Sequence, residues 1–65
     1  MAQPKTVKEA MEDQSYKVRN ISYKHSDRLR VDFEPRFAHS GKKICSFWIS
    51  STYFKRTYPS VYERF

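Results

Sequence analysis

The amino-acid sequence predicts a small α+β domain. It would have three antiparallel strands in a meander, with a short N-terminal helix and a short C-terminal helix or turn packed on one face. Three observations predict it: a helix-start signal near the beginning, strict apolar/polar alternation in the middle, and a last third dense in aromatics. Residues 1–5 read as a tail and residues 6–65 as a single domain. With 65 residues the chain buries only about 60% of the surface its unfolded form exposes. Chains this small usually add a disulfide, a metal or a partner.

Thr6-Val7-Lys8-Glu9 has the form of a capping box: the Thr6 hydroxyl accepts from the Glu9 N–H, and the Glu9 carboxylate reaches back to Thr6. Val7, Ala10, Met11 and Gln14 share a face, predicting a helix over 7–14 that must dock through Val7 and Met11, because two turns do not stand alone. SYKVRNISYK follows with strand composition. Its apolar phase slips between Val18 and Ile21, which predicts a bulge near Arg19-Asn20 or a strand covered on both faces. His25-Ser26-Asp27 reads as a hairpin turn. In RLRVDF, Leu29, Val31 and Phe33 point one way and Arg28, Arg30 and Asp32 the other. Glu34-Pro35 stops that strand, and a loop over 36–43 turns at Ser40-Gly41. KICSFWIS predicts a third strand, with Cys45, Phe47 and Ile49 on one face and Ile44, Ser46, Trp48 and Ser50 on the other. After it, strand composition competes with helical spacing of Phe54, Tyr58, Val61, Tyr62 and Phe65, and Pro59 interrupts the run. The reading is a helix or turn over 51–57 and a terminal turn over 60–64.

Aliphatic residues are scarce, so aromatics must carry much of the core; Phe33, Phe47 and Phe54 are core positions and Tyr16 joins them at its edge. Trp48 stands apart. If Phe47 and Ile49 face the helices, Trp48 lies on the other face among Ser46, Ser50, Arg28, Arg30, Lys17 and Arg19.

The formal net charge is +6 and the sequence pI about 9.7. Residues 1–15 sum to −1, with Lys5 and Lys8 against Glu9, Glu12 and Asp13, so residues 16–65 carry +7. Such a segment attracts polyanions. A flat ring among guanidinium groups is how sheets meet nucleic acid, by stacking on bases while cations hold phosphates. The candidate nucleic-acid-binding residues are Lys17, Arg19, Arg28, Arg30, Lys42, Lys43, Trp48, Lys55 and Arg56. Lys42-Lys43 forms a basic loop and Lys55-Arg56 a basic helix end; solvation alone accounts for the first and the helix dipole for the second.

Cys45 is the only cysteine, which excludes an intramolecular disulfide and suits a reducing compartment such as the cytoplasm. Cys45, His25 and His39 match no zinc spacing, and no cofactor or metal is expected. No targeting segment and no run of about 18 apolar residues is visible, so a soluble chain with no membrane partner is expected. Catalysis lacks support: Cys45 alternates with core positions, and Ser40-Gly41-Lys42-Lys43 lacks the glycine and hydroxyl that a phosphate loop needs. The sequence therefore points to a non-catalytic nucleic-acid-binding protein, for DNA or RNA. The alternative is an inhibitor or adaptor docking on an acidic partner protein, in the style of short phage and mobile-element genes. Tyr, Trp and Arg dominate protein-binding hot spots too, and a homodimer would supplement a thin core equally well.

Overall fold

The computed structural model describes residues 3–37, 41 and 43–65, with the backbone alone at Tyr23 and Lys24. Helix α1 spans Val7–Glu12, strand β1 Tyr16–His25, β2 Arg28–Pro35 and β3 Cys45–Ser50; α2 spans Ser51–Thr57 and α3 Pro59–Arg64. The strands pair antiparallel in the order β1-β2-β3, the predicted meander.

Thr6 caps α1 as its sequence predicts, its Oγ1 accepting from the Glu9 N–H at 3.1 Å. The return limb differs: the Thr6 hydroxyl donates to Glu9 Oε2 at 3.4 Å. The helix ends at Glu12, two residues before the predicted boundary, because the Asp13 carboxylate accepts from the Ser15 N–H at 2.8 Å and its carbonyl from the Tyr16 N–H at 3.1 Å. This side-chain turn competes with another helical turn and aims the chain into β1. The segment ahead of α1 is tied down as well, since Gln3 Oε1 accepts from the Tyr16 hydroxyl at 2.9 Å and from the Cys45 thiol at 2.8 Å. Burial, with the Cys45 thiol alongside, raises the pKa of the Tyr16 phenol.

The β1–β2 register slips between Val18 and Asn20, leaving Arg19 as the extra residue of the anticipated bulge. It slips again between Ile21 and Tyr23, a second irregularity at Ser22 that the apolar phase does not announce. Ser26, with φ +54°, and Asp27 turn the hairpin, and β2 continues through Pro35 rather than stopping before it. Strand β3 begins at Cys45, two residues later than predicted. Gly41 lies at φ +80°, a conformation that side chains rarely adopt; the turn expected at Ser40-Gly41 includes Ser40, which lies outside the described residues.

Leu29, Val31 and Phe33 are fully buried on one sheet face. Val7 and Ala10 of α1 and Phe54 of α2 close over them, with Tyr58, Val61 and Tyr62 packed alongside. Phe33 meets Phe47 edge-on with ring centroids 5.9 Å apart, and Phe54 lies 5.4 Å from Tyr58 and 6.4 Å from Tyr62. Both C-terminal segments are helical. Pro59 opens α3 at a position where its missing N–H costs nothing.

Candidate nucleic-acid interface

Among the described residues the helices pack on the Leu29, Val31 and Phe33 side of the sheet, and on the other side Arg28, Arg30, Ser46 and Trp48 are exposed. The register places Trp48 opposite Arg30, Ser46 opposite Asp32 and Ser50 opposite Arg28; on the other flank Lys17 pairs with Glu34. Directly opposed residues begin about 4.5–5.5 Å apart at Cβ. Trp48 is 49% exposed, and its ring stands beside the Arg30 row.

The cations of this face are not equivalent. Lys17 Nζ is 3.5 Å and Arg19 Nε 3.8 Å from the Glu34 carboxylate, while Arg30 Nε is 3.5 Å from Asp32 Oδ1. Arg28 makes no ion pair among the described residues. With Asp32 and Glu34 counted against Lys17, Arg19, Arg28 and Arg30, the face keeps a balance of two positive charges.

Asp32 departs from its sequence reading. It alternates with core residues and should be wet, yet it is 6% exposed. A buried carboxylate is costly unless bonded, and this one accepts from the Ser46 hydroxyl at 2.7 Å while facing Arg30. The same Arg30 Nε donates to Ser22 Oγ at 2.9 Å. The result is a chain of polar contacts running across all three strands, from Ser46 through Asp32 and Arg30 to Ser22. Alternation alone cannot locate it, because it depends on register and on the second bulge.

The remaining candidates lie elsewhere. Lys55 and Arg56 ride on α2, whose Phe54 is in the core, so they belong to the helical layer; Lys55 Nζ lies 5.1 Å over the Tyr62 ring. They do not join Arg28, Arg30 and Trp48. Lys43 is exposed ahead of β3, and its carbonyl accepts from the Cys45 thiol at 3.5 Å. Lys42 and His39 lie outside the described residues. Cys45 is half-buried rather than sealed in the core. Among the described residues, no three His, Cys, Asp or Glu side chains gather to hold a metal ion, and no helix is long and apolar enough to cross a membrane.

Asp27 has a role that its sequence position hides. Its carboxylate accepts from the Ser50 hydroxyl at 2.6 Å, the Thr52 hydroxyl at 2.9 Å and the Thr52 N–H at 3.0 Å, and its carbonyl accepts from the Ser51 N–H at 2.7 Å. The hairpin turn thus clamps the start of α2. The bond from Ser50, then those from Thr52, hold the Asp27 carboxyl below its ordinary pKa.

A cleft of about 440 Å³ opens between the start of α1 and β3; Lys5 and Lys8 rim it, and Phe47, Trp48, Ile49 and Tyr53 form its apolar wall. No protein-family model, curated protein or solved structure matches the chain.

Proposed function

We propose that this protein binds nucleic acid without catalysis, through the open face of its sheet. The observation that carries the reading is the half-exposed Trp48 ring set opposite Arg30, on a face that also bears Lys17, Arg19 and Arg28. Stacking on an aromatic ring contributes about 1–3 kcal/mol per base and tolerates any sequence, while the surrounding cations neutralise phosphates. Such work needs no concave pocket and no cofactor, and the cytoplasm supplies both the ligand and a reducing setting for Cys45.

Trp48 is the only tryptophan, so its fluorescence reports on the proposed surface directly. Titration with single-stranded and duplex oligonucleotides at low salt should change its emission, and affinity should fall steeply as salt rises. No binding of either form at low salt removes the reading.

A second reading has its own support in the lysine-rimmed cleft beside β3. An acidic segment of a partner protein, or a second copy of this chain, would bury the exposed parts of Trp48 and Tyr53 there. A partner that survives nuclease treatment and is released by Lys8→Glu favours it, as does a dimer in sedimentation that Tyr53→Ala dissociates. A partner lost with the nuclease returns the choice to nucleic acid.

A further inference from the structure

We propose that Arg30 is a guanine-reading residue, held in position by Ser22 and Asp32, and that the phosphate contacts fall to the other cations of the face. The inference rests on the nucleic-acid reading above.

The geometry of the guanidinium supports it. Arg30 Nε is occupied by Ser22 Oγ at 2.9 Å and faces Asp32 Oδ1 at 3.5 Å, which fixes the plane of the group. Among the described residues nothing bonds its two terminal nitrogens, and the side chain remains 46% exposed. A planar fork anchored at its base, on a side chain that stays nearly half exposed, offers paired donors that match the acceptors O6 and N7 of guanine. That edge is accessible in a duplex major groove and in an unpaired strand alike.

The position of Asp32 argues for a base rather than a phosphate. Asp32 is buried and bonded, so it cannot withdraw from a phosphate seated on Arg30 and would repel it, whereas it tolerates a neutral base edge. The more exposed Glu34 beside Lys17 and Arg19 can give way to a phosphate. Asp32 is itself 6% exposed and bonded by Ser46, so it orients Arg30 without offering an acceptor to the ligand. Arg28, with no acid partner among the described residues, is the contrasting phosphate site. Trp48, across the ladder from Arg30, supplies the flat surface beside the read base.

The test compares oligonucleotides of equal length in three versions: with guanine, with 7-deazaguanine (which lacks the N7 acceptor) and with adenine in its place, each single-stranded and duplex. The wild-type protein should prefer guanine by about fivefold or more in at least one form. Arg30→Met keeps the length and removes every donor, so the preference should vanish, and because no phosphate sits on Arg30 the salt slope should stay. Ser22→Ala, at an exposed position, should reduce the preference without loss of fold, and Asp32→Asn should do the same where it folds. Equal binding of all three versions by the wild-type protein overturns the guanine assignment and leaves the nucleic-acid reading standing. So does a guanine preference that survives Arg30→Met. Absence of binding to any oligonucleotide at low salt overturns both.

Discussion

Glu34 offers a sharp test of whether Lys17 and Arg19 belong to the interface. It lies 3.5 Å from Lys17 Nζ and 3.8 Å from Arg19 Nε; its side chain is 32% exposed and theirs 50% and 51%. Pairs this wet contribute about 0–1 kcal/mol, so an arriving phosphate displaces the carboxylate readily. What remains is repulsion. A phosphate seated on Lys17 or Arg19 comes within roughly 6 Å of Glu34, where two unit charges in water interact by about 0.7 kcal/mol. Glu34→Gln should therefore tighten binding about threefold at low ionic strength. The gain should shrink as the Debye length falls to about 8 Å near 0.15 M salt. Fluorescence anisotropy of a labelled oligonucleotide at about 10 mM and about 150 mM salt measures both effects, with circular dichroism confirming the fold. Unchanged affinity at low salt in a folded variant refutes the placement of Lys17 and Arg19 against the ligand.

Other outcomes follow from the same geometry. Arg28→Gln should lower the log–log salt slope by about 0.9 on duplex or 0.7 on single strands, whereas Lys55→Gln, on the helical layer, should leave the slope unchanged; equal effects contradict a one-sided surface. Trp48→Ala should weaken oligonucleotide affinity by about fivefold or more, and an unaltered affinity removes the stacking role. Asp27 is bonded as a carboxylate, so its folded pKa lies below its unfolded one and the native state binds fewer protons through this group. Its contribution is present above the unfolded pKa and is lost as pH falls through the folded one. Thermal melts should show Asp27→Asn less stable near neutrality and less sensitive to acid as pH falls through and below the ordinary carboxylate range; a parallel loss in both proteins assigns the acid response elsewhere. Phe54→Ala empties a fully buried site at a cost of about 3–5 kcal/mol, against roughly 3–10 kcal/mol for a domain of this length. Urea unfolding should show the stability lowered by about 3–5 kcal/mol, to the loss of the folded baseline if the domain starts near the low end, and an unchanged midpoint contradicts the central place of that ring.

Much of the fold is legible because its signals are local. The alternation of Leu29, Val31 and Phe33 fixes the dry face of β2, and the parity of Phe47 and Ile49 then sends Trp48 to the opposite side. The phase slip after Val18 announces the bulge at Arg19. Pro59 separates α2 from α3 by steric necessity, which resolves the competing helix and strand signals in that stretch. What escapes the sequence is whatever depends on cross-strand partners. Ser22 and Asp32 look like ordinary polar positions until the ladder brings them to Arg30. Asp27 looks like a turn residue, and its bonding partners Ser50 and Thr52 lie beyond the whole of β2 and the loop after it. A one-residue change in register would have left each of these groups facing something else.

The two irregularities in β1 also bear on how copies of the chain behave at high concentration. This is the longest strand and it forms one border of the sheet, where an uninterrupted row of outward amides would template another molecule. Extra residues at Arg19 and Ser22 break the even spacing of that row and twist it out of plane. Fibril-like growth from this border is thereby discouraged, and any ordered self-assembly by strand addition must begin at the shorter β3 side.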